Sequence, residues 1–287
     1  MHMSTSALQF DCAGETLTGI AHIPADAGRV GVVVVVGGPQ YRVGSHRQFL
    51  LLSRHLAERG IASLRFDCRG MGDSGGRFPG FEHIAPDIGA AITALLTAAP
   101  TLDKVVLWGL CDAASAVLCY AHTDPRVAGI VVLNPWVRST ETLARTYLRH
   151  YYLQRLVSGD FWRKLLSGRF RPVAAAADLG AQVRHGTGST GPAVGFVERM
   201  RLGFAAFRRP VQIVVSGNDL TAAEFLAVAA QPAWQELRRR PDVVELTIPD
   251  ANHTFSSAAW RDAVAQATAA FVQLCANRQQ PAGAAAP

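Results

Sequence analysis

The chain has 287 residues, of which 49% are hydrophobic and 17% charged, and its formal net charge is +6. This composition excludes an intrinsically disordered protein, and the length is sufficient for one large domain with a substantial hydrophobic core. The longest apolar run, residues 30–38, is much shorter than the roughly 20 residues of a membrane span, so no transmembrane segment is expected.

The cysteines and the N-terminus indicate a cellular compartment. The 5 cysteines form neither a CxxC pair nor a Cys/His spacing typical of zinc sites. The first residues lack the basic start and apolar segment of an export signal. An odd, scattered set of cysteines favours free thiols in a reducing compartment. We therefore expect a cytoplasmic protein with no metal and no cofactor.

Two periodicities alternate along the chain. Residues 8–12 and 15–24 predict an antiparallel hairpin. Six short runs rich in β-branched residues then predict strands, and their lack of alternation is typical of parallel strands covered on both faces. Helical patterns between them indicate a doubly wound α/β fold with a mostly parallel sheet. The six runs are 32–36, 62–66, 104–108, 128–133, 211–215 and 243–248, and the helical patterns are 46–60, 84–99, 113–122 and 255–276.

One interval breaks this alternation. Between Asn134 and Pro210 no strand is predicted, only arginine-rich helical segments and a Gly/Ser/Thr-rich loop at 180–195. We expect this insertion to form a helical cap at the carboxyl edge of the sheet, where open α/β folds bind ligands. The predicted division is a core of residues 1–134 and 210–276, a cap of residues 135–209 and a disordered tail of residues 277–287.

The positive charge is concentrated in the insertion. Residues 138–171 contain 8 basic and 2 acidic side chains, and this excess of six equals the net charge of the chain. A solvated helical face is one interpretation. The other is a basic surface that attracts an anionic substrate, partner or membrane, with Arg145 and Arg149 contacting the substrate. Nucleic acid is not expected, because no binding motif accompanies the arginines.

The segment WGLCDAASA joins a predicted strand to a predicted helix. A nucleophile elbow requires small residues two positions before and after the nucleophile, because the strained turn brings the strand and helix backbones together. Gly109 and Ala113 meet this requirement around Cys111. With Asp112 at the apex instead, the bulky Leu110 would occupy a tight position. The sequence therefore predicts Cys111 as the nucleophile.

A second segment matches the G-x-S-x-G pattern letter for letter. This segment, GDSGG at residues 72–76, lies six residues beyond the end of a predicted strand, and no helix follows it directly. Its serine, Ser74, would not be held at a strand–turn–helix apex. We predict a structural turn there.

The chain order nucleophile, acid, base indicates the partners of Cys111. Asp219 follows the end of one predicted strand by four residues, and His253 follows the last predicted strand by five, ahead of the final helix. Asp250 and Glu224 are alternative acids. Four other histidines lie in or at the start of predicted helices, and this position favours structural roles for them. They are His46, His55, His83 and His122.

The loop GGPQYRVGSHR after the first long apolar strand is expected to complete the site. An oxyanion hole would combine the backbone amide of Asp112 with one amide from this loop. Pro39 has no N–H group, so Gln40 is the predicted donor. Three side chains of the loop are predicted to reach into the pocket and bind substrate: Arg42, His46 and Arg47.

These segments together resemble a known family. FDCRGMGDSGG is similar to the D-x-R-G-x-G-x-S loop of α/β-hydrolases. With GGPQYRVGSHRQF, WGLCDAAS and SGNDLTA it resembles the exosortase A system-associated hydrolases, over residues 15–135 and 210–260. The resemblance implies an α/β-hydrolase fold, a triad of Cys111, Asp219 and His253, and a link to exopolysaccharide loci. A cysteine nucleophile is similar to that of dienelactone hydrolases.

The expected chemistry follows from the thiol. The helix N-terminus and a protonated His253 would stabilise the Cys111 thiolate, which attacks an acyl carbonyl to give an S-acyl intermediate. We therefore expect hydrolysis of an ester or thioester with a small-molecule acyl group. Two alternatives stay open: an acyltransferase with a sugar or carrier acceptor, and a non-catalytic binding protein that keeps the hydrolase shape.

Overall fold

The computed structural model describes residues 3–38, 40–138 and 194–279. Described residues up to Trp136 and from Phe196 onward form one compact unit. Most of the predicted cap over 135–209, including Arg145, Arg149 and the loop 180–195, lies outside the described residues. The same holds for the predicted tail from residue 280 onward.

The described unit contains an eight-stranded, mostly parallel sheet, which confirms the predicted α/β-hydrolase fold class. β1 and β2 form the predicted antiparallel hairpin, and β2 pairs antiparallel with β4. The other pairs are parallel, in the order β1-β2-β4-β3-β5-β6-β7-β8. The strands are β1 (Met3–Cys12), β2 (Glu15–Pro24), β3 (Val30–Val35), β4 (Ser63–Phe66), β5 (Lys104–Leu110), β6 (Val127–Leu133), β7 (Val211–Ser216) and β8 (Val243–Ile248).

Seven α-helices lie within the described ranges. They are α1 (Gln48–Ala57), α2 (Ala85–Ala98), α3 (Asp112–Tyr120), α4 (Phe196–Ala206), α5 (Leu220–Ala229), α6 (Pro232–Arg238) and α7 (Ala258–Asn277). Short 3-10 turns occupy Ser45–Arg47, Phe81–His83 and Ala121–Thr123. None of the helices in these ranges is long and apolar enough to cross a membrane.

Two of these helices, α5 and α6, were not anticipated from periodicity. Both are short, and α5 is rich in alanine, so the contrast between an apolar and a polar face is weak. Their start signals are nevertheless present in the sequence. Asp219 caps the N-terminus of α5, and Pro232 occupies the first turn of α6.

Helix α4 lies in the range assigned to the cap. In the structure it packs on α3 within the core unit, and a Cβ atom placed on Gly203 would lie 2.3 Å from the carbonyl oxygen of Leu118. Phe196 at its start makes an edge-on ring contact with Phe81, with ring centroids 5.4 Å apart. The helix belongs structurally to the core.

The centre of the sheet explains where the site forms. Strand β3 is buried along its whole length and is flanked on both sides by parallel strands, β4 and β5. Residues of α1 and α7 share one buried apolar cluster with β3, including Val34, Leu56 and Phe271. The loops that follow β3, β5, β7 and β8 therefore leave the same edge of a rigid, covered sheet.

Candidate active site

Cys111 occupies the apex of a strained strand–turn–helix corner. It lies between β5 and α3 with φ 62° and ψ −124°, a conformation that non-glycine residues seldom adopt. Its amide donates to the Leu133 carbonyl at 2.9 Å, and its carbonyl accepts from the Trp136 amide at 3.1 Å. The end of β6 thus holds the corner on both sides, and the apex residue is half-buried.

The corner is as tight as the sequence analysis expected. A Cβ atom on Gly109 would lie 2.8 Å from both the carbonyl carbon and the oxygen of Ala113. Both atoms belong to the backbone of α3, so the contact could not be relieved by a side-chain rotation. The small residue two positions before the apex is required by this close approach of strand and helix.

The predicted acid and base are hydrogen-bonded to each other and to the cysteine. His253 Nδ1 lies 2.8 Å from Asp219 Oδ2. The imidazole also forms a hydrogen bond with the Cys111 thiol. Asp219 is the N-cap of α5 and accepts from the amides of Thr221 and Ala222, at 3.3 and 3.0 Å. The three side chains therefore form one continuous chain of hydrogen bonds.

This arrangement favours the charged forms of the acid and base. The hydrogen bond to Asp219, followed by the one to Cys111, raises the pKa of His253 from 6.5 to about 10 against the opposing effect of burial. Burial is the largest single effect on Asp219 and would raise its pKa. The hydrogen bond and the charge of His253, together with the amides of Ala222 and Thr221, outweigh burial, and the pKa is lowered. At neutral pH the pair is an imidazolium and a carboxylate.

The other candidate acids occupy different positions. Asp250 is exposed on the turn after β8, and Glu224 is buried in α5. Of the three carboxylates, Asp219 is the one that lies against His253.

Asn134, which the sequence analysis treated only as the start of the insertion, positions the histidine loop. It is fully buried with φ 42°, and its Nδ2 donates to the His253 carbonyl at 3.1 Å and to Ser216 Oγ at 2.8 Å. Its Oδ1 accepts from the Ser216 amide at 2.9 Å. One side chain therefore joins the ends of β6 and β7 to the loop that carries the base. The sequence feature that could have indicated this role of Asn134 is the presence of a polar residue directly after a predicted buried strand.

The acid and base loops also touch through their backbones. A Cβ atom on Gly217 would lie 1.8 Å from the Pro249 carbonyl oxygen, so only glycine allows this approach. The Gly217 amide donates to the Ile248 carbonyl at 2.9 Å, and the Asn218 amide donates to the Ala251 carbonyl at 3.0 Å. These bonds fix the distance between Asp219 and His253.

The backbone amide of Gly38 lies beside the N-terminus of α3. It was not named in the sequence analysis as a possible oxyanion donor. It donates to Asp112 Oδ2 at 2.8 Å, and the Ala113 amide donates to Asp112 Oδ1 at 2.9 Å. Gln40, the predicted donor, is half-buried, and its Oε1 is buried with no partner among the described residues. Its oxyanion role stays a prediction.

Arg42, predicted to reach into the pocket, has partners within the protein, and its substrate role stays a prediction. Its guanidinium is buried and paired with Asp67 and Asp73, the latter at 2.7 Å, and its backbone amide donates to Asp67 Oδ1 at 2.7 Å. Two acidic residues of the D-x-R-G-x-G-x-S loop thus bind the guanidinium. His46 and Arg47 are exposed with left-handed φ values of 52° and 60°, and their substrate role remains a prediction.

Ser74 has the structural role that its context predicted. Its Oγ donates to the Asp67 carbonyl at 2.7 Å and accepts from the Thr18 amide at 2.9 Å. Both bonds tie the turn to the sheet. Among the described residues, no group of three or more His, Cys, Asp or Glu side chains is placed to hold a metal ion.

Comparison with solved structures shows the same architecture. An esterase of Pyrococcus furiosus, Pf2001, superposes with a TM-score of 0.65 at 14% identity, covering 95% of this chain and 93% of that one. A dienelactone hydrolase of Anabaena variabilis gives 0.62 at 16% identity, covering 96% and 99%. Est1E of Butyrivibrio proteoclasticus, solved with ferulic acid bound, gives 0.60 at 17% identity, covering 93% and 98%. No curated protein matches the chain in sequence.

The fold and the elbow define an α/β-hydrolase. Residues 29–184, more than half of the chain, match the sequence profile of the family described as serine aminopeptidase, S33. The chain belongs to this family of hydrolases. Its name refers to a serine, whereas the residue at the elbow apex here is Cys111.

Proposed function

We propose that this protein hydrolyses an ester or thioester through Cys111, with His253 as general acid and base and Asp219 as its orienting partner. The observation that carries the proposal is the hydrogen-bonded chain from Asp219 through His253 to a cysteine at the apex of a strained elbow. A nucleophile, a base and a group that orients the base are the parts that covalent acyl transfer requires.

The raised pKa of His253 indicates how the first step runs. With the imidazole protonated at neutral pH, the thiolate of Cys111 attacks the acyl carbon, a C–S bond forms, and the carbonyl π electrons move to the oxygen. When the carbonyl reforms, the bond to the leaving alkoxide or thiolate breaks. His253 gives its proton to the leaving alkoxide or thiolate, and an S-acyl enzyme with a neutral His253 remains.

Water completes the reaction. Neutral His253 takes a proton from a water molecule as its oxygen attacks the S-acyl carbon, and collapse of this second intermediate releases the carboxylic acid and the Cys111 thiolate. The product acid loses its proton to solvent. His253 is protonated again and Cys111 is free for the next substrate, and Asp219 keeps the imidazole oriented throughout.

The solved structures with this fold support an ester-like substrate. They include an esterase, a dienelactone hydrolase and a protein with ferulic acid bound. Thiolates leave more readily than amines, so esters, lactones and thioesters suit a cysteine better than amides do. An acyltransferase would use the same residues, and only analysis of the acyl acceptor in the product distinguishes the two.

Further parts of the proposal rest on sequence. The exosortase-type motifs support an acyl substrate linked to exopolysaccharide metabolism. All five cysteines are free, which supports a cytoplasmic location. We also propose that the part of residues 135–209 that precedes α4 contributes a cap whose Arg145 and Arg149 attract an anionic acyl group. Replacing both arginines should then raise KM for an anionic ester but not for a neutral one, and the difference should decrease with salt.

The role of the acid can be tested with two aspartates. Asp219→Asn should lower kcat for a nitrophenyl ester by about 10²–10⁴, because an amide cannot stabilise the imidazolium. Asp250→Asn, a change of the same kind on an exposed neighbouring turn, should leave kcat within about twofold. Equal losses in the two variants, or a loss confined to Asp250→Asn, would reject the proposed triad.

A further inference from the structure

The carboxylate of Asp112 lies between the loop after β3 and the N-terminus of α3, next to Cys111. Asp112 directly follows the nucleophile, and its side chain turns back over the helix N-terminus instead of pointing to solvent. Oδ2 accepts from the Gly38 amide at 2.8 Å and Oδ1 from the Ala113 amide at 2.9 Å. The amide of Asp112 itself also contributes a hydrogen bond to this carboxylate.

A helix-capping role does not account for all of these contacts. An acidic residue in the first turn of a helix is stabilised by the helix dipole, and the bond to Ala113 fits that role. The bond to Gly38 does not, because Gly38 belongs to the loop after β3 on the other side of the corner. An α/β-hydrolase forms its oxyanion hole from the amide after the nucleophile and one amide of this loop. We take the Gly38 amide, in place of the Gln40 amide expected from the sequence, as the loop donor, and the Asp112 carboxylate accepts from it at 2.8 Å.

We propose that the Asp112 carboxylate occupies the oxyanion site at rest, so that an acyl substrate must displace it before Cys111 can react. This inference rests on the proposed acyl chemistry. A backbone amide has a single hydrogen, and it cannot hold a carboxylate and a developing oxyanion equally well. Two negative oxygens at adjacent amides also repel each other. Asp112 therefore restrains attack on simple esters and acts as a specificity-determining residue.

The charges around Asp112 are consistent with a carboxylate that can be displaced. Burial raises its pKa despite the amides of Gly38 and Ala113 and the positive charge of His253. The group is thus bound without a side-chain cation in hydrogen-bond contact among the described residues. Its attachment consists of amide bonds, which an incoming oxyanion can take over.

The test compares two reactions of the same thiol. Acylation by a nitrophenyl ester builds an oxyanion, whereas alkylation by iodoacetamide does not. One oxyanion donor contributes about 10²–10³ in kcat, so relieving the competition in Asp112→Asn should raise the acylation rate by about tenfold. Alkylation should change by less than about threefold. Asp112→Ser should behave like Asp112→Asn, and Asp103→Asn, a surface control, should match the wild type.

The outcomes separate this inference from the proposed function. If the wild type is acylated at Cys111 and both Asp112 variants are acylated no faster, Asp112 does not occupy the oxyanion site and the inference is overturned. If neither the wild type nor the variants are acylated while iodoacetamide still reacts, the proposed function fails and the inference fails with it. Acylation that appears only in the Asp112 variants would support both. An upfield shift of the Gly38 amide proton in Asp112→Asn is the expected spectroscopic result.

Discussion

Two turns that follow β4 and β5, the strands on either side of β3 in the sheet, present a serine and a cysteine to very different surroundings. After β4, Ser74 matches the G-x-S-x-G pattern, yet its hydroxyl is used to bind the Asp67 carbonyl and the Thr18 amide. After β5, Cys111 matches the pattern only through its small neighbours, yet it is bonded to His253. The G-x-S-x-G sequence is found at the Ser74 turn, whereas the strand–turn–helix geometry of a nucleophile elbow is found at the Cys111 turn.

The difference shows what makes a hydroxyl or thiol nucleophilic. A turn residue whose polar atom is hydrogen-bonded to the backbone stabilises the fold, and that atom is not activated for attack. A residue held at positive φ, with its polar atom facing an imidazole, is kept from such bonds by its own backbone conformation. The strain at Cys111 is therefore informative, and the predictions below compare the two turns directly.

The largest expected effect concerns catalysis. Cys111→Ala should lower kcat/KM for ester hydrolysis by about 10³-fold or more, because no covalent intermediate can form. Ser74→Ala should lower it by less than about threefold while costing about 1–2 kcal/mol of folding stability through its two lost hydrogen bonds. Steady-state kinetics and urea unfolding measure both. Activity lost in Ser74→Ala and kept in Cys111→Ala would reverse the assignment of the two turns.

The next prediction concerns the tightness of the Cys111 turn. Gly109→Ala would place a methyl group 2.8 Å from backbone atoms of Ala113, and we expect a loss of about 2–4 kcal/mol in unfolding free energy. Gly28→Ala is the matched control, since its nearest neighbour would be 3.9 Å away. Chemical denaturation compares the two variants. Equal stability would mean that the elbow is looser than the structure indicates.

The rate of thiol alkylation should differ between Cys111, at the N-terminus of α3, and Cys119, within that helix. Cys111 and Cys119 are both half-buried, but burial raises the pKa of Cys119 to about 11. Iodoacetamide at pH 7 should therefore label Cys111 at least about 30-fold faster, since the thiolate is the reactive form. His253→Gln should slow this labelling by about tenfold. Peptide mapping gives both rates, and equal labelling would contradict an activated thiol.

The smallest effect is a pH dependence of stability. Because the pKa of His253 is raised to about 10, the histidine stabilises the folded state fully below its unfolded value near 6.5. This contribution is lost as the pH rises through about 10. The difference in unfolding free energy between wild type and His253→Gln should fall by about 1–2 kcal/mol over that interval, after allowance for partial exposure. The control is His122→Gln, the same substitution at an exposed position.

Much of this arrangement could be predicted from the sequence because each element had a local cause. The hairpin pattern and the six β-branched runs together indicated all eight strands, and chain order with small flanking residues brought Cys111, Asp219 and His253 together. Short helices without a clear polar face, such as Leu220–Ala229, gave no periodic signal. The partners of Arg42 could not be predicted, because Asp67 and Asp73 lie in another loop and only the fold brings them to it.

The role of Asp112 was hidden for a related reason. Its position directly after Cys111 suggested that its backbone amide is an oxyanion donor. Its side chain was considered only as an unsuitable nucleophile. Where that carboxylate turns depends on the Gly38 amide, 74 residues earlier in the chain. Likewise, Asn134 appeared to be a boundary until the structure showed its bonds to His253 and Ser216.

The measurement that tests the central claim most directly is mass analysis of the enzyme mixed with an activated ester or acyl thioester and quenched during turnover. A single acyl group should appear on the peptide that contains Cys111, disappear as substrate is exhausted, and persist longer in His253→Gln. Continued turnover with no acyl adduct, or an adduct on the peptide that contains Ser74, would contradict the assignment of Cys111 as the nucleophile.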